Sequence, residues 1–258
     1  MKMTRKKKER KENRYHRLLT NHSRGGWRVE TLQTKEGRMD ILEAIYARHS
    51  VRQYKNLPIA EETAAELERL IRECNEESGL KIQLIQNDPE CFRTLFAHYG
   101  RFKNANHYIT IVGPKDLPDL SERGGYYGEK LVLEAQKLGL RTCWVAGSYG
   151  RSKCKAVVGK DEKIVCVISI GYGENDGRQH RNKALAKVCN VPEAEMPDWF
   201  REGVRAAMAA PTAVNQQRFT ISLKDGEPVI TAPKGVLTML DLGIVKYNFE
   251  AASGRKCR

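Results

Sequence analysis

Apolar residues recur at helical and strand spacings from Met39 onward, and the two spacings alternate along the chain. The helical spacing predicts helices over residues 39–48, 59–78, 120–138, 197–209 and 237–252, and a short helix over 152–158. β-branched and alternating runs predict strands over residues 81–86, 106–112, 141–146, 163–170, 219–223 and 229–231. Because helices precede, separate and follow short strands, we expect an α+β fold with a mixed central sheet and helices on both faces.

Glycines mark several of the predicted boundaries. Gly79 and Gly139 follow two of the helices, as helix-ending glycines commonly do. Asp225-Gly226 predicts a hairpin turn between the last two strands. Gly124, Gly125 and Gly128 near the start of the predicted helix over residues 120–138 permit close helix packing or close approach of a ligand.

Positive charge is concentrated at the start of the 258-residue chain. Residues 1–38 hold thirteen Lys and Arg against four Glu, and so carry +9 of the total formal charge of +13. This polar stretch has little apolar periodicity, and we expect it to be a disordered tail. Residues 39–258 carry the remaining +4 and form the predicted globular part, which is only mildly basic.

Three hypotheses account for the basic tail. Codons for Lys35-Glu36-Gly37-Arg38 can form a purine-rich, ribosome-binding-like stretch immediately before Met39, so the preferred hypothesis is a start site assigned too far upstream. A solvated tail without a role comes second. A basic arm for nucleic acid comes third, so we do not expect nucleic acid as a partner.

The cysteines and histidines do not form a metal-site or disulfide pattern. The seven cysteines are scattered and odd in number, and they contain no Cys-x-x-Cys pair, which favours a reduced, cytoplasmic protein with mostly buried thiols. Cys143 lies on a predicted buried strand, where an inert core thiol is expected. His98, His107 and His180 lack ligand spacing, so we expect no metal. The sequence contains no apolar run of about 18 residues, so we expect no membrane-spanning helix and no membrane partner.

Two distant segments carry the candidate binding chemistry. Arg48-His49-Ser50-Val51-Arg52 ends the first predicted helix and offers permanent positive charge and a hydroxyl, which suit a phosphate. Ala210-Pro211-Thr212-Ala213-Val214-Asn215-Gln216-Gln217 offers a rigid proline, small side chains and amides that suit the edge of a polar ring. Taken singly, a solvated helix end and an ordinary helix-to-strand turn are the preferred interpretations of these segments.

Taken together, these segments resemble the nitroreductase family of flavoproteins. Arg-His-Ser-Val-Arg-Gln-Tyr resembles the Arg-Arg-Ser-x-Arg-x-Phe opening of that family, and Ala-Pro-Thr-Ala-Val-Asn-Gln-Gln resembles its Ala-Pro-Ser-x-x-Asn-x-Gln-Pro segment. Glu134–Val145 is similar to its Leu-Gly-Leu-Gly-Thr-Cys-Trp stretch, and Ile168–Gly173 to its strand ending in Gly-Tyr. The resemblance covers residues 39–258.

The order of the motifs departs from the common family layout. There the Ala-Pro-Ser segment follows the Arg-rich opening within a few dozen residues, whereas here it lies at residues 210–217, after the Gly-Tyr strand. This is similar to the branch in which one chain holds two unequal, related halves that mimic a dimer. The resemblance implies halves of about 39–180 and 190–258, a monomer acting as an internal pseudo-dimer, and one complete FMN site per chain.

The resemblance also implies the activity and the site. We expect an FMN-dependent oxidoreductase that takes hydride from NADH or NADPH and reduces a small electron-poor acceptor, of nitroaromatic or quinone type. The alternatives are an FMN-binding carrier or sensor without significant turnover, and a nucleic-acid-associated protein using the basic tail. No catalytic side chain is assigned, although Thr212 and Asn215 are candidate donors that tune the ring. The implied cofactor-binding residues are Arg48, His49, Ser50, Arg52, Ala146, Gly147, Ser148, Arg181, Lys183, Pro211, Thr212, Ala213, Asn215 and Gln217.

Overall fold

The structure is a computed structural model that describes residues 39–93 and 100–258. The predicted disorder of residues 1–38, and the three hypotheses for that tail, lie outside the described residues. No helix in the described part of the chain is long and apolar enough to cross a lipid bilayer.

Five α-helices lie in the described residues, close to the predicted positions. They are α1 (Ile41–Ala47), α2 (Glu61–Ser78), α3 (Leu120–Lys137), α4 (Asp198–Ala209) and α5 (Thr238–Ser253). A capping box starts α1, in which Asp40 Oδ1 accepts from the Glu43 N–H at 2.8 Å and Glu43 Oε2 accepts from the Asp40 N–H at 3.0 Å. Gly79 ends α2 with φ +69°, as predicted.

Four strands form one sheet, and two more form a separate hairpin. The sheet runs in the order β1 (Gln83–Ile85), β2 (His107–Pro114), β4 (Glu162–Gly171) and β3 (Arg141–Val145), with every neighbouring pair antiparallel. The hairpin joins β5 (Thr220–Lys224) to β6 (Glu227–Thr231) across the predicted Asp225-Gly226 turn. The α+β class is confirmed. The sheet is antiparallel rather than mixed as expected, because among the described residues parallel pairing is limited to isolated bridges, one of which places Ser50 beside Thr142 of β3.

The predicted helix over residues 152–158 is wrong. In this region the structure has only the 3-10 turn Arg151–Lys153, and residues 154–158 are not helical. Backbone N–H groups in this region donate to side chains of the sheet instead of to helix carbonyls. The N–H of Lys155 donates to the Tyr108 hydroxyl at 3.0 Å, and the N–H of Val157 donates to Gln83 Oε1 at 2.9 Å. Long-range hydrogen bonds therefore override the local pattern.

One apolar cluster draws on both ends of the described chain. It includes Leu67 of α2, Ile168 of β4, Phe200 of α4 and Val245 of α5, all of which are fully buried. Helix α3 contacts the sheet on one side and α5 on the other, and α5 also packs against α4. The C-terminal elements are therefore built into the same core as the sheet.

The crossing of α3 and α5 depends on two glycines at which the helix backbones meet. A Cβ atom added to Gly243 would lie within 3 Å of the Glu122 carbonyl oxygen, and one added to Gly125 would lie 2.0 Å from the Leu240 carbonyl oxygen. Gly128 has a different role, since it leaves room for the indole of Trp144. Of the two functions that the sequence left open for these glycines, the structure shows close packing.

We predict that Gly243→Ala destabilises the protein. The new methyl group would push α5 away from backbone atoms of α3 that cannot rotate aside, and overpacking of this kind costs about 3 kcal/mol or more. Urea unfolding measures the change in free energy. Gly147→Ala is the matched control, because a Cβ there meets no atom within 4 Å. Equal stability of the two variants would contradict the predicted backbone contact.

Candidate functional site

The first predicted segment, residues 48–52, runs along the edge of the sheet. The N–H of Val51 donates to the Thr142 carbonyl of β3 at 3.0 Å, and the Tyr54 hydroxyl donates to the Val51 carbonyl at 2.6 Å. Val51 is buried, whereas Arg52 is exposed. This extended course turns Arg48 into the protein and leaves Arg52 facing outward.

Arg48 belongs to a buried polar cluster, here called the Arg48–Glu129 cluster, which also contains Trp144 and Asn248. Arg48 is 3% exposed and Glu129 is fully buried, and Arg48 Nε lies 3.8 Å from Glu129 Oε1. The carboxylate accepts hydrogen bonds from Trp144 Nε1 and from Asn248 Nδ2, each at 3.0 Å. The cluster thus joins α1, α3, β3 and α5 through one carboxylate.

Arg48 and Glu129 are two opposite charges that are both removed from water by burial. Burial raises the pKa of Glu129, while the Arg48 charge and the two hydrogen bonds act in the opposite direction. Burial likewise lowers the pKa of Arg48, and Glu129 opposes this. Because a guanidinium stays protonated in proteins, Glu129 is its counter-charge. Arg48 Nε has no hydrogen-bond partner among the residues that the structure describes.

Arg48 also connects the first segment to the second. Its Nη2 donates to the Ala209 carbonyl, 161 positions further along the chain, at 3.4 Å. Beside it, a ring nitrogen of His180 lies 3.0 Å from the Met208 carbonyl. The two predicted walls therefore meet at the end of α4.

Residues 177–183, here called the linker, lie between the two segments. A Cβ on Gly177 would lie 2.9 Å from Cβ of His49. At the other end of the linker, the Arg181 carbonyl accepts from Asn215 Nδ2 and Gln217 Nε2, each at 2.9 Å. Lys183 Nζ donates to the Gln216 and Gln217 carbonyls at 2.7 and 3.0 Å. The linker therefore fastens the second segment in place.

Two half-buried imidazoles flank Arg48 in this region. Burial lowers the pKa of His49, and the nearby Arg48 charge lowers it further. Burial lowers the pKa of His180 as well, with Arg48 again acting in the same direction. Since an ordinary histidine already has a pKa of about 6.5, both rings are neutral at neutral pH and act here as hydrogen-bonding groups.

The second segment, residues 211–217, is a strained loop held from α5. Asp241 is 4% exposed, and its carboxylate accepts from the Ala213 N–H at 2.9 Å and from Gln216 Nε2 at 2.6 Å. Three non-glycine residues in the loop have positive φ, namely Val214 at 46°, Asn215 at 55° and Gln217 at 42°. Val214 is also 97% exposed. Strained backbone held by neighbouring structure is common in ligand-binding loops.

Two cavities differ sharply in charge. One of about 310 Å³ is lined by Arg52, Gly100, Arg101, Phe102, Trp144 and Ser148, and so contains two guanidinium groups, two aromatic rings and no carboxylate. A larger one of about 360 Å³ is lined by the carboxylates of Glu77, Asp119 and Glu122 together with the basic groups of Arg123 and Lys256. The three carboxylates outnumber the two basic groups of the larger cavity, so it is less suited to an anion. The smaller one, here called the Arg52 cavity, suits a phosphorylated aromatic ligand.

The structure places the predicted residues in two groups. Arg52 and Ser148 line the Arg52 cavity, with Ala146 and Gly147 on the same loop. Arg48, His49, Arg181, Lys183 and the loop from Pro211 to Gln217 lie along the linker, and none of them lines that cavity. Gln217 is 3% exposed, and its amide is taken up by the linker and by Asn215. Thr212 accepts from the Gln217 N–H at 3.1 Å, which leaves its hydroxyl proton free.

Sequence reasoning missed several residues that shape the site. The burial of Glu129 could have been predicted from the sequence, because the helical period places it on the face of α3 that carries Gly125 and Val132. Asp241 lies in the first turn of α5, where an acidic residue is ordinarily explained by the helix dipole alone. Arg101 and Phe102 belong to no motif, and the fold alone brings them to the cavity.

Cys143 is 2% exposed and packed in the core, as predicted. Burial raises its pKa, so the thiol is not activated. Among residues 39–93 and 100–258, no three His, Cys, Asp or Glu side chains gather as metal ligands would.

We predict that Glu129→Gln destabilises the protein by about 3–5 kcal/mol, because it leaves the Arg48 charge buried without a counter-charge. Chemical denaturation measures the loss. Glu134→Gln makes the same change on the same helix in the partly exposed pair with Lys137, and there a cost below about 1 kcal/mol is expected. A Glu129→Gln variant as stable as the parent would show that the carboxyl group is already protonated.

Comparison with known proteins identifies the family. A family model described as "Putative TM nitroreductase" matches residues 40–253. A crystal structure of a "putative nitroreductase" from Thermotoga maritima is 21% identical, with a TM-score of 0.62, and covers 87% of this chain and 88% of that chain. A "putative nitroreductase in complex with FMN" from Desulfovibrio desulfuricans is 21% identical with a TM-score of 0.46, over 61% of this chain and 98% of that one. No curated protein matches. The chain belongs to the nitroreductase family that this model describes.

Proposed function

We propose that this protein is an FMN-dependent oxidoreductase that takes reducing equivalents from NADH or NADPH and passes them to a small electron-poor acceptor, of nitroaromatic or quinone type. The observation that carries the proposal is the Arg52 cavity, with its two arginines, two aromatic rings and absence of carboxylates, in a chain of the nitroreductase family. A phosphate and a planar ring are the two chemical features that this lining recognises.

The structure supports different roles for the two arginines of the first segment. Arg52 is exposed and lines the cavity, so it is the proposed phosphate contact, together with Arg101 and the Ser148 hydroxyl. Arg48 is buried against Glu129, so its proposed role is to hold the segment and to add positive potential. Ser50 pairs with Thr142 at the sheet edge, which fixes the direction in which Arg52 leaves the backbone.

The loop from Pro211 to Gln217 is the proposed second wall. Its support is the connection to the first segment through Arg48 and the linker, within one chain. That connection favours a monomer in which the two unequal halves together form one site. Thr212 is the better candidate for a donor to the ring, since Asn215 already bonds to the Arg181 carbonyl and to Gln217.

When bound, FMN would supply the hydride-accepting and hydride-donating chemistry, so the protein needs no catalytic acid or base of its own. The chain contributes charge, orientation and shape. The guanidinium groups of Arg52 and Arg101 stabilise negative charge beside the cavity, and the Trp144 and Phe102 rings exclude water from it. The exposed Val214 leaves an apolar surface at the second wall for a ring or an acceptor.

The test is a flavin spectrum followed by anaerobic reduction. The full chain is purified, its visible spectrum is recorded, and NADH or NADPH is added without oxygen. We expect a yellow protein that bleaches, and that recovers its colour when a quinone or nitroaromatic is added. Flavin that stays oxidised would favour the carrier or sensor alternative, and a protein that binds no FMN would contradict the proposal.

We predict that Arg52→Ala weakens FMN binding by about 10- to 100-fold, because a charge-assisted hydrogen bond contributes about 1.5–3 kcal/mol. Fluorescence titration with FMN measures the affinity. Lys55→Ala removes the same charge at an exposed position outside the cavity lining, and is expected to change affinity less than about threefold, since exposed charges are screened. Equal losses in both variants would mean that Arg52 contributes only general charge.

A further inference from the structure

Two cysteines meet away from the residues that line the Arg52 cavity. Cys91 lies in the 3-10 turn Pro89–Phe92, and Cys154 follows the 3-10 turn Arg151–Lys153. The Gly150 N–H donates to the Cys91 carbonyl at 2.8 Å, and the Cys154 N–H donates to the Gly150 carbonyl at 3.0 Å. Cys91 and Cys154 also belong to the same apolar cluster, and each thiol shifts the pKa of the other. The backbone thus holds the two turns together and brings both sulfur atoms into contact.

The two thiols differ in exposure and in polarity. Cys91 is fully buried, whereas Cys154 is partly exposed. The hydrogen bond from the Cys91 thiol lowers the pKa of Cys154 to about 6, and the Ala156 N–H acts in the same direction. Burial opposes this effect. The interaction with Cys154 raises the pKa of Cys91, so the more exposed Cys154 is the better nucleophile of the two.

The electrostatic effects of the charged residues around Cys91 and Cys154 partly cancel. Asp88 is buried, and its carboxylate raises the pKa of Cys154. That carboxylate accepts from the Tyr108 hydroxyl at 2.5 Å, and its other oxygen lies 3.5 Å from Lys155 Nζ. The Lys155 ammonium and the Tyr108 hydroxyl offset part of the Asp88 charge, and the net effect of the surroundings is to lower the pKa of Cys154.

Cys257 provides an internal contrast. Of the seven free cysteines, Cys154 and Cys257 are partly exposed and the other five are buried. Burial and the neighbouring Glu250 carboxylate raise the pKa of Cys257 to about 12. Thiol reactivity follows the thiolate fraction and access, so the same conditions activate Cys154 and leave Cys257 inert.

We propose that Cys154 and Cys91 form a modification site for hydroperoxides, at which oxidation of Cys154 is followed by closure of a Cys91–Cys154 disulfide. In the first step the Cys154 thiolate attacks hydrogen peroxide, the O–O bond breaks, and Cys154 sulfenic acid and hydroxide form. In the second step Cys91 sulfur displaces the sulfenic oxygen, which leaves as water with the Cys91 proton. Sulfur loses two electrons overall, and the peroxide gains them.

This site does not depend on the proposed function, although it adjoins the candidate region. Gly150, which bonds to Cys91, lies two positions after Ser148 of the Arg52 cavity. Its chemistry can therefore be measured without activity or bound FMN.

The test maps the thiols of the reduced full chain after one equivalent of hydrogen peroxide near neutral pH. Remaining thiols are alkylated and located by peptide mass spectrometry. We expect the Cys91 and Cys154 peptides to become linked first, with the other five thiols intact and the link reversed by dithiothreitol. Oxidation spread evenly over several cysteines, or a first disulfide elsewhere, would overturn the proposal.

Variants separate the two steps. Cys154→Ser is expected to abolish the fast consumption of peroxide, and Cys91→Ser to leave a sulfenic acid on Cys154 that dimedone traps. Cys257→Ser is the matched control and should behave as the parent. In the unaltered protein, iodoacetamide should label Cys154 about tenfold or more faster than Cys257, a comparison that requires no variant. Labelling of Cys154 no faster than Cys257 would contradict the proposal.

Discussion

The buried pair of Arg48 and Glu129 constrains the relative positions of α1, α3, β3 and α5, the elements that it joins. A guanidinium and a carboxylate inside a protein are stable only when their remaining groups are hydrogen-bonded, and Trp144 and Asn248 supply those bonds to the carboxylate. Because these partners come from different elements, any shift of α1 against α3 would leave a charge unpaired in the core. The pair therefore holds the first segment in place at the sheet edge, from which Arg52 reaches the cavity.

The second wall is held by a different kind of interaction. Each bond between the linker and the loop joins a backbone group to the side chain of Asn215, Gln217 or Lys183, and Asp241 adds a buried carboxylate from the first turn of α5. Such bonds require particular backbone positions as well as these amide and amine side chains. They also keep Val214 and its neighbours at positive φ, which a free loop would relax. The proposed site thus combines a rigid basic wall with a strained loop stabilised from outside.

Much of the fold and part of the candidate site could be predicted from the sequence, for reasons that differ from one element to the next. The helices and the strongest strands follow from local periodicity, and the two motifs stood out by residue type. The helix predicted over residues 152–158 was wrong because Tyr108 and Gln83, distant in sequence, take its backbone groups. Lys183 was predicted to contact the phosphate, and this stays a prediction. In the structure its amine donates to two carbonyls of the loop, and the local sequence could not indicate these distant partners. The pairing of Cys91 with Cys154 had no signal in the spacing of the cysteines.

The sequence by itself determined where helices and strands form, the α+β class and the family motifs, because these depend on neighbours within a few turns of chain. Only the tertiary structure decided which of Arg48 and Arg52 is buried, since alternation at a helix end does not say which side the core occupies. It also decided that Cys91 and Cys154 lie in adjoining turns, and what holds the 211–217 loop. Those outcomes depend on contacts between residues up to 161 positions apart, whose geometry is set by the packing of the whole core.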